Sequence, residues 1–355
     1  MDYLQLVINP GSTSTKIAVF KDVEPVYVKT ARHSSKELER FDKIIDQFAY
    51  RLEIVKDNFG QSGFDAGELN AVVGRGGLLR PMPGGTYLVN DKMLQDLRAE
   101  GRGSHASNLG GLIAHKFAAE HNIPAFIVDP VCVDEMDPIA RFSGMPENPR
   151  ESLFHALNQK AVARRAAKDM AKDYMELNFI VAHLGGGISV GVHFRGRVID
   201  VNNAIPGEGP FSPERSGGVP VGKLVSMCYT GSFSKDEIDK KLVGKAGLVA
   251  YLGTNDTIEV EKRIHNGDEN AKLVYQAMAY QVSKEIGACA AVLKGDVDAI
   301  IITGGIANSG MLVKWIEDRV GFIAPVKTYP GEDEMLALAC GGIRVLSGSE
   351  SVKTY

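Results

Sequence analysis

Apolar residues run together over positions 4–8, give way to a polar turn at 9–13, and alternate with polar ones over 16–20 (LQLVINPGSTSTKIAVF). An apolar run bounded by turn residues reads as a buried strand, and the alternation after it as a second strand. Pro, Gly, Ser and Thr bend the turn and leave N–H and hydroxyl groups facing outward, where they suit phosphate oxygens or a metal-bound water. Taken alone, this is equally an ordinary hairpin. The pattern returns, however, over 179–194 (FIVAHLGGGISVGVHF). Laid on the first copy without a gap, Asn9 falls on His183, Gly11 on Gly185 and Phe20 on Phe194. One copy in each half predicts two similar domains facing one cleft. A third glycine turn, Thr303 to Asn308 (TGGIAN), follows an apolar strand at 299–302 and opens a helix.

Between these turns the periodicity changes. Ser34-Ser35-Lys36-Glu37 has the form of a capping box, and Leu38, Phe41, Ile44, Ile45, Phe48, Leu52 and Val55 keep helical spacing up to Gly60, predicting one long helix with a core-facing stripe. A strand is expected at 69–73, a turn-rich excursion ending in a short strand at 78–90, and helices at 91–100 and about 108–120. The apolar tetrad 125–128 reads as a parallel strand ending in Asp129-Pro130. Beside it, Asp134, Glu135 and Asp137 read as a solvated acidic loop, as such groups are mostly exposed. A long basic helix at about 156–173 leads into the second copy, and the domain change is set near its start. The Gly- and Pro-rich segment 206–219, which begins at Pro206, has no period, and irregular segments of this length are often functional. Helices follow at 223–227, 235–241, 269–293 and 334–346. The last contains Gly341-Gly342, which is costly inside a helix and predicts a close packing contact.

A chain of 355 residues has room for two domains, and a formal charge of −4 disfavours a nucleic-acid surface. The four cysteines are scattered, without metal-ligand or redox spacing, and read as buried thiols in a reducing compartment. No apolar run approaches the length of a membrane span, and no targeting segment is evident at the start, so a cytoplasmic location is expected.

The chemistry-bearing candidates sit at strand ends and turns. Arg75 lies between glycines after a strand, although read alone it is a solvated loop arginine. His105 precedes a helix N-terminus, a favourable place for an anion. Asp129 ends a buried strand, where an α/β sheet presents its chemistry. The segment 217–223 (GGVPVGK) imitates a phosphate-binding loop, but Leu224 stands where Ser or Thr is required, and no buried strand precedes it. That motif is rejected.

Taken together, the motifs resemble the acetate kinase (acetokinase) family of the actin, hexokinase and Hsp70 superfamily, and within it the branch that acts on butyrate. The resemblance covers essentially the whole chain. NPGSTSTK at 9–16 is similar to the family's opening signature, HLGGG at 183–187 to its second, RSGG at 215–218 to its active-site loop, and GGIAN at 304–308 to its adenosine loop. It implies an α/β fold of two similar domains, each a mixed sheet flanked by helices. The first would span 1–156, joined by the terminal helix at 335–355, and the second, which would bind nucleotide and form a homodimer or higher homo-oligomer, would span 157–334. It implies Arg75 and Arg215 as catalytic arginines, Asp129 as the catalytic aspartate, His183 at the moving phosphoryl group and His105 as a second active-site histidine. Ser12, Thr13, Ser14, Lys16, Gly185, Gly186, Gly187, Asp256, Gly304, Gly305, Ile306 and Asn308 would bind nucleotide. Asn9 and Glu334 would stand near Mg²⁺, with Glu332 as the alternative in the triplet 332–334. Departures from acetate kinase, such as GGLLRPMP after Arg75 and Ile258 where an arginine is found near the nucleotide, point to a reshaped acid pocket with Leu78, Leu79 and Met82 as lining candidates or as core.

The implied reaction moves the γ-phosphoryl of ATP directly onto butyrate, or a similar short- or branched-chain acid, giving acyl phosphate and ADP. A carboxylate is already ionised, so such a site needs positive charge and alignment more than a base. That suits arginines, a histidine, N–H loops and Mg²⁺. A sugar kinase would need Asp129 as a base, and a non-enzymatic actin- or chaperone-like switch would give the paired arginines no role.

Overall fold

The structure is a computed structural model and describes residues 2–205 and 207–355. Pro206, at the head of the irregular loop, lies outside the described residues. The chain divides into two compact units, one comprising residues up to Val133 together with Asp333–Tyr355, the other Asp134–Glu332. The division thus falls earlier than the expected change near residue 156. The segment between the two positions is bound to the second unit by ion pairs. Asp134, Glu135 and Asp137 are not a solvated loop: Asp134 takes Arg141 in a two-pronged pair at 2.8 and 2.7 Å, and Asp137 takes Arg197 at 3.1 Å. Glu135 meets the buried Lys160 ammonium at 2.8 Å. A buried ammonium requires a partner, and this one ties 134–137 to the second unit.

In the first unit β1 (Leu4–Pro10), β2 (Ser14–Lys21) and β3 (Glu24–Arg32) form an antiparallel meander. β4 (Ala71–Arg75) runs parallel to β1, and β6 (Ala125–Val128) parallel to β4, with β5 (Thr86–Leu88) antiparallel to β6. The terminal strand Lys353–Thr354 pairs with β5, giving a seven-stranded mixed sheet. In the second unit β7 (Asn178–Leu184), β8 (Ile188–Phe194) and β9 (Arg197–Val201) form the meander, and β10 (Ala299–Gly304) and β11 (Val326–Pro330) add in parallel. The orders β3-β2-β1-β4-β6 and β9-β8-β7-β10-β11 therefore have the same sense at every junction. The repeat read from two hairpins extends over five strands.

The pairing also corrects the gapless alignment. Asn9 pairs with Lys16, whereas His183 pairs with Ser189, so the second turn is one residue shorter. Beyond the turn Phe20 matches His193, not Phe194. Register shifts confirm this: the first meander is bulged between Val19 and Phe20, the second between Val192 and His193. A bulge sets local twist and is kept as a feature of the backbone.

Helices cover both faces of each sheet. Asn108–Glu120 packs on β4, where Gly74 lies so close to the Gly110 carbonyl that a Cβ would collide. Glu334–Leu346 lies across β1, β4 and β6, and side chains at Gly341 and Gly342 would strike Val128, Val73 and Gln5. The close contact expected from these glycines is therefore one of helix on sheet. In the second unit Glu269–Val292 and Ala156–Asp169 bury their apolar positions against the strands.

Several expected elements differ. The capping box at Ser34 and Glu37 forms, but its helix is the single turn Ser35–Leu38; a 3₁₀ turn at Ile44–Gln47 and the helix Phe48–Gly60 follow separately. Gly and Pro are absent from that stretch, so local propensity did not show the break. The exposed strand β3, the strand β11 and the helices Gly247–Leu252 and Thr257–His265 lacked a clear apolar period. Cys228 is exposed rather than a buried thiol. No described helix is long and apolar enough to cross a membrane.

Candidate active site

In the first unit the site is built where β1 and β4 end side by side. Asn9 is on the last turn-facing part of β1, Arg75 closes β4, and Glu334 opens the terminal helix. Arg75 donates from Nη1 to Glu334 Oε2 at 2.8 Å, and its Nη2 meets Oε1 at 2.7 Å. Asn9 Nδ2 donates to the same Oε2 at 2.7 Å, while Asn9 Oδ1 receives a longer bond of 3.3 Å from Arg75. Residues 9, 75 and 334 thus form one polar knot. Of the two glutamates in the triplet, Glu334 is the one that joins Asn9; Glu332 belongs to the other unit.

His105 lies in the loop before Asn108–Glu120. Ser107 N–H donates to its Nδ1 at 3.2 Å, and the Ser107 hydroxyl lies 2.8 Å away, so in the neutral ring the proton sits on Nε2. Burial, with Arg75 nearby, pushes this imidazole below its ordinary pKa, and Glu334 opposes that in part. Asp129 follows β6, next to the strand that carries Arg75. It is buried, with φ of 37°, a region that non-glycine residues enter only under constraint. The constraint is reciprocal: Asp129 N–H donates to Gly85 O at 3.0 Å, and Gly85 N–H donates to Asp129 Oδ1 at 2.6 Å.

The first glycine turn leaves Ser12 and Thr13 exposed, with Ser14 and Lys16 half-buried on β2. Beneath it lies a residue that the sequence reading did not single out. Arg51, on Phe48–Gly60, is fully buried and directs its guanidinium at the turn. In sequence it was one cation within a helical stripe of apolar positions, and nothing in the spacing announced it.

In the second unit His183 ends β7 and is almost fully buried. Its Nδ1 lies 2.7 Å from Asn158 Oδ1, and its Nε2 lies 3.0 Å from Glu332 Oε1 without an aligned hydrogen bond. The His155 ring stacks on it, with centroids 3.8 Å apart and planes within 10°. His155 and Asn158 are one turn apart on the same helical face, which brings both to His183. Neither had been picked out from the sequence.

Gly185 and Gly187 are buried and Gly186 is exposed at the second turn. Ser212 donates its hydroxyl to Gly186 O at 2.6 Å, and Arg215 packs directly against Gly187, where a Cβ would clash with the guanidinium. Arg215 Nη1 donates to the Ala204 carbonyl. Burial pulls the Arg215 pKa down, and neighbouring Glu214 opposes it. The third turn abuts the second: Gly304, at φ of 91°, lies against the backbone of Leu184. Gly305 is open, Ile306 is tucked into the core, and Asn308 folds its amide back to Gly305 O at 2.9 Å. His183, the 185–187 turn, Arg215 and the 304–308 turn are therefore neighbours in this unit.

Asp256 follows Asn255, whose amide donates to Glu214 Oε1 at 2.5 Å, beside Arg215. Its carboxylate caps the helix Thr257–His265, accepting from Ile258 N–H at 2.9 Å. Leu79 and Met82, two of the three acid-pocket candidates, are buried in the first core; Leu78 alone of the three is partly open.

The two repeated mixed sheets, each flanked by helices, define a two-unit α/β protein. Solved structures bear out this class: Porphyromonas gingivalis acetate kinase superposes with a TM-score of 0.77 at 20% identity, over 97% of this chain and 100% of that one. This is the actin-like ATPase fold. The acetokinase family model matches residues 149–324. Butyrate kinase 2 of Clostridium acetobutylicum is 57% identical over the whole of both chains, and butyrate kinase 1 of the same organism is 56% identical over 99% of each. The chain belongs to the acetokinase family. Its reaction class is phosphoryl transfer to a carboxylate, with a nucleotide as donor, and the relatives do not favour a sugar kinase or a non-enzymatic switch.

Proposed function

We propose that the chain transfers the γ-phosphoryl group of ATP to butyrate or a similar short-chain acid, reversibly and in one direct step. The observation that carries this reading is the Asn9–Arg75–Glu334 knot, in a chain matched over its full length by two butyrate kinases. Arg75 and Arg215 would offset the charge on the transferring group and the acid, a guanidinium fork being suited to both phosphate and carboxylate. His183, oriented by Asn158, would present Nε2 to a phosphoryl oxygen. An ionised acid needs no base, so Asp129, bonded to Gly85, would align the metal or an arginine beside it. The three glycine turns would carry the phosphates and adenosine, with Gly305 giving open backbone.

Mg²⁺ is the metal that suits this chemistry. The amide oxygen of Asn9 and the carboxylate of Glu334 are hard donors, and Mg²⁺ needs only one or two such protein ligands when phosphates and water supply the rest. Both groups would have to share these oxygens with Arg75, which bonds them here. Bound there, Mg²⁺ would neutralise charge on the phosphates. A cytoplasmic homodimer or larger homo-oligomer is the accompanying expectation.

The direct test is trapping of acyl phosphate as the hydroxamate with butyrate, ATP and Mg²⁺. A purified, folded chain that gives none, with either butyrate or its short-chain neighbours, would remove the proposal.

A further inference from the structure

Arg51 is fully buried, yet its partners are all neutral oxygens. Nε donates to Gln47 Oε1 at 2.9 Å. Nη1 reaches Gly11 O at 2.7 Å, Ser14 O at 2.9 Å and Thr15 Oγ1 at 3.2 Å, and Nη2 donates to Ser12 O at 3.1 Å. Buried charges are ordinarily paired with an opposite charge. Among the described residues no carboxylate contacts this guanidinium, and the charged form is disfavoured by burial alone.

The geometry has a second consequence. Gly11, Ser12 and Ser14 turn their carbonyls inward to Arg51, and the Thr13 carbonyl is taken by His33 N–H at 2.8 Å. Every carbonyl of the turn is thus drawn towards the protein. In a trans peptide the N–H of the next residue points opposite to the carbonyl. The amides of Ser12 and Thr13, with their exposed hydroxyls, are therefore directed away from Arg51 and towards solvent. One buried cation both orients the donors outward and places an uncompensated positive charge behind them.

We propose that Arg51 is a positioning residue for the nucleotide's phosphates: it holds the 11–14 turn in its donor-outward form, and the bound polyphosphate supplies the negative charge that the protein does not. The inference rests on the ATP-binding reading above. It assigns Arg51 no contact with substrate; it acts through the turn and through its field, which low-dielectric surroundings strengthen.

The test compares wild type with R51K and R51M, using MgATP kinetics and calorimetric binding of ADP and of inorganic tripolyphosphate. R51M should weaken tripolyphosphate and ADP binding by about 10- to 100-fold, in keeping with loss of a set of charge-assisted contacts. The KM for ATP should rise in step, while the KM for acid stays within about twofold, since the acid's arginines are untouched. R51K keeps the charge and loses the fork, so it should recover part of the phosphate affinity. Equal rises in both KM values would make Arg51 a general structural residue and overturn the inference. So would wild-type tripolyphosphate affinity in a folded R51K or R51M. Should R51M fail to fold, R51K decides alone: wild-type affinity overturns the proposal, and a loss confined to the phosphate ligands upholds it. A wild-type protein that binds neither ADP nor tripolyphosphate would instead remove the nucleotide reading itself.

Discussion

Arg75 and Glu334, separated by 259 residues in sequence, close on each other as a two-pronged ion pair at 2.8 and 2.7 Å, with Asn9 bound to the same carboxylate. The arginine is therefore held in one orientation by a group from the far end of the chain. Both side chains are partly open to solvent, so the pair matters more for direction than for stability.

If Arg75 and Arg215 stabilise the transferring phosphoryl group, changing either to Ala should remove about 3–4 kcal/mol of transition-state stabilisation, as does loss of an oxyanion donor. Lys should restore only part of it. Steady-state kinetics would show the loss in kcat/KM; near-normal values in both alanine variants would contradict the assignment.

Glu334→Gln keeps the shape of the knot and removes its charge. Arg75 would then lose its ionic tether, and a metal its carboxylate. Activity should fall roughly tenfold or more, and the Mg²⁺ concentration for half-maximal rate should rise, a carboxylate being the stronger hard ligand. A Mg²⁺ titration of E334Q matching the wild type would place the metal elsewhere.

Acid length should have a modest effect. Two buried methylenes contribute about 1.6 kcal/mol, so butyrate should exceed acetate by on the order of fifteenfold in kcat/KM, in line with the limited discrimination apolar pockets achieve. A broad optimum from about three to five carbons is expected, including isobutyrate, because overfilling adds strain. Rates across acetate, propionate, butyrate, isobutyrate, valerate and hexanoate check this, and a maximum at acetate would refute it.

Acid should destabilise the fold before the carboxylates titrate. Burial holds His193, His33 and His105 below the usual imidazole pKa, strongly so for His193, which lies between Tyr174 and Gln159. The folded chain takes up protons on these rings at lower pH than the unfolded chain does. Stability should therefore be constant above about pH 7.5 and decline as pH drops through about 6.5, by up to about 1.4 kcal/mol per pH unit for each such histidine. Urea midpoints at pH 8, 7, 6 and 5.5 would show the slope; a flat profile would mean the buried rings charge in place.

Gly341→Ala should destabilise by about 1–3 kcal/mol through overpacking, because its methyl would strike Val128 beneath the terminal helix. Gly→Ala would otherwise favour a helix by about 1 kcal/mol, so an increase in stability would show that the contact relaxes freely.

What could be read from the sequence follows from which interactions are local. The glycine turns, the strand at Ala125–Val128 and the helix Glu334–Leu346 announced themselves by pattern. Arg75 and Glu334 had motif surroundings, but their contact had none, since nothing in either segment encodes the other. Arg51, His155 and Asn158 were missed because each acts through contacts distant in sequence, from a helix whose period is set by its apolar residues. The helix-capping bond of Asp256 to Ile258 N–H was likewise not legible, because no capping box marks the start of that helix. The 134–137 acids looked solvated only because their basic partners lie elsewhere in the chain.

The paired bulges, between Val19 and Phe20 and between Val192 and His193, also speak to descent. An irregularity at the same place in two meanders of different sequence is what a duplicated and fused ancestor leaves behind. The two halves share that backbone and differ at the turns. One copy now ends its first strand in an amide and follows it with hydroxyls held over a buried guanidinium; the other ends in an imidazole followed by three bare glycines. The two turns thus differ in their side chains and by one residue in length, while the strand order and the bulge beyond them are shared.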